Sequence, residues 1–569
     1  MYFVRTYNVE KEKNNKISGM KPLLARLLSQ RQIEDVDAFL TPKPDAYLHL
    51  RNSNLVQNVK DVASLLVEVA KSPNKNVSVS SDYDSDGIVS SYMVKRICDM
   101  LNIECNVFLP SRFEQGYGLN EQTIGALLAF TIKNKTPELL VILDCGSSSE
   151  SEVKKLQTFA IPKIIILDHH PIKEENFSKS ANVVVNWHMS DAQEMCTCGL
   201  VYLVALDLLT THKSLTTDNI QELLALAAIG TIADVTPIIG DNRIIVKQGL
   251  RFFDKLSSEG LTALVKLCKL DNKSITQEQI GFRLAPRLNA VGRLDSPQEA
   301  FDLLVSKNQD EIDYIIQVLE ITNKNRQDIQ KEILDEAIAM FNEKEMEYGI
   351  LLVNPKWNIG VVGVVASEMV EKFHKPTVVI GRDKAVLRGS GRSIKGLSLI
   401  KILDVCQEMF DKYGGHDYAA GVTLKKNYLD KAIKMFNDAC QQILIEENKN
   451  CDKKIFYDAV LKPETINEDT YKIVDFLYPY CDINNPEPVF KLAEVKTSLI
   501  PAKRIVKPNW TLSILKVDGV KFEFKTFNED IGKLDDFGKK SNVYFKFPQC
   551  YDGRWPMQLS VVGIEVLEK

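Results

Sequence analysis

A chain of 569 residues is too long for one hydrophobic core, so about three or four domains are expected. With 45% hydrophobic and 26% charged residues it is neither fibrous nor disordered. The net charge of −5 excludes a bulk polycation, so any contact with nucleic acid requires a local basic surface. No apolar run is long enough to cross a bilayer. The opening Met1-Tyr2-Phe3-Val4-Arg5 lacks the basic-then-apolar order of a secretion signal. A cytoplasmic protein with no membrane partner is expected. The eleven cysteines have no paired spacing, which favours reduced, buried thiols over a disulfide framework. Cys196-Thr197-Cys198, the one close pair, lacks the two further soft ligands that a zinc site needs.

In chain order, residues 1–70 form an N-terminal segment of short helical stretches and polar turns, such as Thr41-Pro42-Lys43-Pro44. Residues 71–300 alternate helical stretches with apolar runs, among them Val77-Ser78-Val79, Leu139-Leu140-Val141-Ile142-Leu143 and Ile164-Ile165-Ile166-Leu167. Such alternation predicts a parallel sheet covered on both faces by helices. Acidic residues follow these runs. In open α/β sheets the carboxyl ends of strands line the ligand crevice, so the acids are expected to converge. Residues 301–348 form a connecting helix: Ile312, Ile315, Ile316 and Leu319 recur at helical spacing, as do Ile329, Ile333, Ala337 and Met340. A second α/β domain is expected over 349–448. The tail, 449–569, alternates apolar and polar residues, as in Lys521-Phe522-Glu523-Phe524-Lys525, and predicts a small β-domain.

The densest chemistry lies in Ser81-Asp82-Tyr83-Asp84-Ser85-Asp86-Gly87. Carboxylates this close repel one another, and a divalent cation relieves that cost. An EF-hand loop that began at Asp82 would place a glutamate at its twelfth position, but Met93 stands there. Asp144 follows the second apolar run, Asp168-His169-His170 the third, and Asp234 lies in Gly230-Thr231-Ile232-Ala233-Asp234-Val235. Two of the seven histidines are adjacent here. Mixed Asp and His ligands favour manganese or magnesium over zinc or calcium. Two such ions about 3.5 to 4 Å apart would clamp an in-line phosphoryl displacement.

These residues resemble the four motifs of the DHH phosphoesterase superfamily. The resemblance implies a two-metal site with Asp84, Asp86, Asp144, His169 and Asp234 as ligands, and with Asp82 and His170 ligating or supporting. Ser80 stands where many relatives carry a histidine. Arg112-Phe113-Glu114-Gln115-Gly116-Tyr117-Gly118-Leu119 and Pro286-Arg287-Leu288-Asn289-Ala290-Val291-Gly292-Arg293 resemble signatures of the RecJ exonuclease family within that superfamily. Gly389-Ser390-Gly391-Arg392-Ser393 and Gly414-Gly415-His416-Asp417-Tyr418-Ala419-Ala420-Gly421 resemble its DHHA1 domain. Asn485-Pro486-Glu487-Pro488-Val489-Phe490 resembles the start of its OB domain, where Lys503, Arg504, Lys507 and Trp510 are candidates for strand contact.

The resemblance implies two parallel-sheet α/β domains joined by a long helix, followed by an OB-like barrel. It further implies a 5′–3′ exonuclease that releases mononucleotides from single-stranded DNA with two Mn²⁺ or Mg²⁺ ions, acting in recombination and repair. In the family, Ser390 and Arg392, with Arg112 and Arg287 or Arg293, would recognise the terminal 5′-phosphate, and His416 would contact phosphate near the scissile bond. A single-strand-binding protein or a helicase is the candidate protein partner. Two rival readings are a short-oligonucleotide or 3′,5′-bisphosphate phosphatase and a non-catalytic scaffold. The first does not account for residues 452–569, and the second is expected to lack the aspartates.

Overall fold

The computed structural model describes residues 2–4, 20–33, 35–42, 55–111, 114–116, 118–159, 161–190, 192–210, 212–270, 275–294, 296–383, 386–451, 455–506, 510–518, 520–527, 540–547 and 558–567. The chain divides into two compact units. One is built on residues 318–454 and the other on 2–292, 296–317 and 455–569.

The larger unit holds a five-stranded, all-parallel sheet. Its order is Glu104–Phe108, Asn76–Ser81, Leu139–Leu143, Ile164–Leu167, Val183–Val185. Leu139–Leu143 and Ile164–Leu167 are buried at every position. That is why they read as unbroken apolar runs: a parallel sheet with helices on both faces leaves no polar side. The first strand in sequence, Asn76–Ser81, lies between Glu104–Phe108 and Leu139–Leu143, so the winding direction reverses there. The crevice of a doubly wound fold opens at the carboxyl ends of the strands flanking such a reversal.

The same unit contains the barrel strands and the N-terminal helices Pro22–Gln30 and Val36–Leu40. Strands Phe490–Val506, Trp510–Val517, Val520–Phe527, Gln558–Val566 and Lys540–Lys546 pair in that order. Lys540–Lys546 also pairs back with Phe490–Val506, closing an OB-like barrel. The long first strand serves both neighbours by bending at irregularities between Leu492 and Val495 and between Leu499 and Arg504. Leu24, Leu27, Leu28 and Val36 from the N-terminal segment pack into the barrel's core with Phe490, Phe522, Phe524 and Phe545.

The smaller unit takes most of the helix Gln309–Met340, in which Ile312, Ile315, Leu319, Ile333 and Ala337 are buried. Its sheet runs Phe410–Gly415, Ala419–Leu424, Val386–Arg392, Thr377–Asp383, Ile350–Val353. Whereas a parallel sheet is expected from the sequence, only Ile350–Val353 and Thr377–Asp383 are parallel here, and the other three pairings are antiparallel. The reason lies in the connections: two residues between Asp383 and Val386 allow a hairpin but no crossover. Among the described residues no helix is long and apolar enough to cross a membrane.

Candidate active site

Four acidic segments meet at the carboxyl edge of the parallel sheet. Asp84 caps the helix Ser85–Met100, accepting from the N–H groups of Asp86 (2.9 Å) and Gly87 (3.1 Å). This cap turns the chain directly out of the strand Asn76–Ser81 and fixes Asp82, Asp84 and Asp86 around one bend. Gly87 is required by close approach, since a Cβ there would lie 2.3 Å from the Asp82 carbonyl oxygen. Asp144 follows its strand with φ +59°, a left-handed conformation that aspartate tolerates better than most residues. Asp234 closes the helix Thr217–Ala233.

Ligand atoms of Asp82, Asp84 and Asp144 lie within 4.8 Å of one another, as do those of Asp144, His169 and His170. Asp144 therefore belongs to both sets. His169 Nε2 lies 3.1 Å from Asp144 Oδ1, and its Nδ1 lies 3.8 Å from Asp234 Oδ2. Asp86 is placed differently. Its two carboxylate oxygens accept from the backbone N–H groups of Thr197 (2.7 Å) and Cys198 (2.9 Å), the first residues of the helix Thr197–Thr210. Gly230 leaves room for this carboxylate, because a Cβ there would sit 2.7 Å from Asp86 Oδ1. Ser80 is buried beneath the site, and Asp82 supplies the carboxylate nearest to it in sequence.

The electrostatics match a site built for cations. Burial first, then the charges of Asp84, Asp86 and Asp82, push the Asp144 carboxyl well above its usual range. Burial also raises Asp234, to about 7, with Asp86 and Asp84 adding to the effect and His169 opposing it. Oxygen and imidazole donors packed this closely suit Mn²⁺ or Mg²⁺, and binding must displace protons. Because both carboxyls are raised, Mn²⁺ affinity is expected to weaken as pH falls below about 7. Calorimetry in buffers of different ionisation enthalpy should report proton release, and an affinity constant across neutral pH would count against this ligand set.

Asp168 organises the second histidine. It accepts from His170 N–H (3.1 Å) and Ser147 N–H (2.9 Å), and its Oδ1 lies 2.9 Å from His170 Nδ1. Burial pushes Asp168 up, but these partners outweigh it and hold the carboxyl at about 2. For His170 burial lowers the pKa, and Asp168 raises it by more. Asn186 secures the same segment, donating to His170 O and Ser147 Oγ, each at 2.9 Å.

Two supporting residues, Thr197 and Asn289, lie within segments that the sequence marks for other reasons. Thr197 donates its hydroxyl to Asp144 Oδ1 (3.1 Å) as well as its N–H to Asp86. It lies between Cys196 and Cys198, whose thiols are buried and form no disulfide. Asn289 Oδ1 accepts from Ser85 N–H (2.7 Å) and Ser85 Oγ (2.9 Å), docking the helix Ala285–Leu294 against the acidic bend.

Of the phosphate-binding candidates, Arg112 lies outside the described residues, and Arg293 falls in the helix Ala285–Leu294 with its side chain outside them. Arg287 is half-buried and donates to Arg283 O at 2.8 Å. Ser390 and Arg392 belong to the other unit, two apart on the strand Val386–Arg392 and so on one face. Arg392 Nη1 donates to Ser390 Oγ at 2.8 Å. A Cβ at Gly363 would lie 3.1 Å from Ser390 Oγ and 3.5 Å from Arg392 Nη2, so the start of the helix Val362–Phe373 adjoins both. A guanidinium, a hydroxyl and a helix N-terminus together suit a phosphate. His416 is exposed at the tip of the hairpin between Phe410–Gly415 and Ala419–Leu424, where its N–H donates to Ala419 O at 2.7 Å. Of the barrel candidates, Lys507 lies outside the described residues, as do the side chains of Lys503, Arg504 and Trp510.

Comparison with known proteins bears on this geometry. Residues 76–231 match the DHH family, N-terminal domain, and residues 345–442 match the DHHA1 domain. The single-stranded-DNA-specific exonuclease RecJ of Haemophilus influenzae is 30% identical over 576 residues, spanning 96% of this chain and 97% of that protein. The chain belongs to the RecJ family. RecJ of Bacillus subtilis is 31% identical over 479 residues, which cover 82% of this chain but only 58% of that longer protein. In fold, the chain matches the crystal structure of RecJ in complex with Mn²⁺ from Thermus thermophilus. The TM-score is 0.78 at 22% identity, over 96% of this chain and 76% of that one.

Proposed function

We propose that this chain is a metal-dependent exonuclease specific for single-stranded DNA, which removes mononucleotides from the 5′ end in recombination and repair. The observation that carries the reading is the cluster of Asp82, Asp84, Asp144, His169 and His170 at the sheet edge of a RecJ-family chain. Asp82, Asp84, Asp86, Asp144, His169 and Asp234 hold the metal, and Asp168 fixes the ring of His170. Two divalent ions bound there, Mn²⁺ or Mg²⁺, would supply Lewis acidity for phosphodiester hydrolysis. Arg112, Arg287, Arg293, Ser390 and Arg392 recognise the terminal 5′-phosphate, and His416 contacts phosphate near the scissile bond. The barrel provides further surface for the strand. The setting is the cytoplasm, with a single-strand-binding protein or helicase delivering the substrate.

End-labelled oligonucleotides titrated with Mn²⁺ test this reading. Single strands are expected to shorten from the 5′ end while blunt duplex persists, and degradation from the 3′ end would refute the polarity. Arg392→Ala is expected to abolish the preference for 5′-phosphate over 5′-hydroxyl. Loss of one charge-assisted phosphate contact should lower kcat/KM on phosphorylated strands by about tenfold to a hundredfold.

A further inference from the structure

Val235 stands immediately after the proposed ligand Asp234, in a conformation that does not suit it. Its φ is +60°, and among the described non-glycine residues with positive φ it alone is β-branched. The position has a clear backbone role. Asp234 N–H donates to Gly230 O, Val235 N–H to Ile232 O and Thr236 N–H to Thr231 O, which closes the helix Thr217–Ala233. Helices that end this way usually carry glycine at the left-handed position, because a branched side chain there is strained. Packing does not repay the strain, since Val235 is 84% exposed.

A second apolar side chain stands out beside the same cluster. Phe282 is 81% exposed on a π-helical turn, Ile280–Leu284. Such turns insert an extra residue into a helix and are frequent at functional sites. A Cβ at the neighbouring Gly281 would lie 3.8 Å from Ile232 Cγ2, two residues before Asp234. At the other end of this turn, Ala285 O accepts from Ser85 Oγ at 3.3 Å, between Asp84 and Asp86. Two exposed apolar groups therefore stand on segments that adjoin the acidic ones, and one of them adopts a conformation against its backbone preference.

We infer that Val235 is a substrate-positioning residue, whose side chain meets the sugar or base of the nucleotide whose phosphate lies at the metal cluster, with Phe282 extending the same apolar surface. Its strain is retained because glycine would supply the turn without the contact. The inference rests on the single-strand hydrolase reading above.

Val235→Gly separates the two roles. The test compares wild type, Val235→Gly and Val235→Ile with Mn²⁺ on oligo-thymidylate and on bis(p-nitrophenyl) phosphate, a diester without a nucleoside. Val235→Gly is expected to melt above wild type, because strain is relieved. Its loss in kcat/KM on oligo-thymidylate should exceed its loss on the small diester by about tenfold. Val235→Ile should keep the wild-type ratio between the two substrates. Equal losses on both substrates would mean that residue 235 acts only through Asp234, and would overturn the inference. So would a variant that melts higher with no loss on single strands, or one that melts no higher than wild type. A wild-type protein that cleaves the small diester but leaves single strands intact would instead overturn the functional reading, and this inference with it.

Discussion

Replacing His169 by alanine is expected to lower kcat by about 10³-fold or more at saturating Mn²⁺, with the fold retained. The imidazole touches Asp144 at 3.1 Å and Asp234 at 3.8 Å, so it joins two carboxylates that are both driven toward their protonated forms. Without it, Asp234 holds its proton more tightly and a cation loses a neutral donor. The ring is partly exposed and no described backbone group depends on it, so the melting temperature should change little. Asp86→Ala makes the informative contrast. Activity should fall as far, but two buried N–H groups at the start of the helix Thr197–Thr210 also lose their acceptor. That variant should be less stable than the wild type by about 1–3 kcal/mol. Parallel melts and single-turnover rates check both outcomes. Near-normal turnover by His169→Ala would remove it from the ligand set.

The difference between these residues also marks how far the sequence is legible. Asp144 and Asp168-His169-His170 each follow an unbroken apolar run and Asp84 follows the shorter Val77-Ser78-Val79, so their convergence follows from parallel-sheet geometry. The location of the crevice needs more, because the reversal around Asn76–Ser81 depends on strand order, which periodicity does not encode. The double role of Asp86 is likewise set by a helix that begins 111 residues later. Thr197 and Asn289 each make two hydrogen bonds across long sequence separations, so neither role follows from the local segment that contains the residue. In the smaller unit the alternation of strands and helices is visible, but strand direction turns on the two-residue connection after Asp383. The packing of Leu24, Leu27 and Leu28 against Phe490 and Phe545 joins segments more than 400 residues apart, and amphipathic spacing identifies such faces without naming their partners.

Arg243→Met is expected to destabilise the larger unit by about 3 kcal/mol, the largest loss of stability anticipated for a residue outside the metal cluster. Arg243 is buried in the helix Gly240–Gly249, over the ring of Phe39 at 3.8 Å. Its guanidinium donates to the carbonyl oxygens of Phe39 (3.2 Å), Pro479 (2.6 Å) and Tyr478 (3.1 Å). Burial pushes its pKa down, to about 9, which still leaves it charged at neutral pH. The cation is thus held by carbonyl dipoles, several of them just beyond the helix Glu468–Asp475, where the negative end of a helix dipole favours it. Lys247 adds contacts to Leu40 O and Phe476 O, both at 3.2 Å. These bonds fasten the N-terminal segment and the lead into the barrel onto the domain that carries the carboxylate cluster. Methionine keeps most of the apolar stem but leaves the carbonyls without donors, so the cost is mainly polar. Cutting the chain after the second α/β domain would be a poorer test of the barrel, because it would take Tyr478 O and Pro479 O from Arg243 and expose Leu24, Leu27, Leu28 and Val36. Urea unfolding should place the loss in the larger unit. If the barrel orients the strand, hydrolysis of single strands by Arg243→Met should fall further than that of bis(p-nitrophenyl) phosphate. A variant as stable as wild type would mean that water replaces the guanidinium at these carbonyls, and that the fastening is made by the apolar contacts alone.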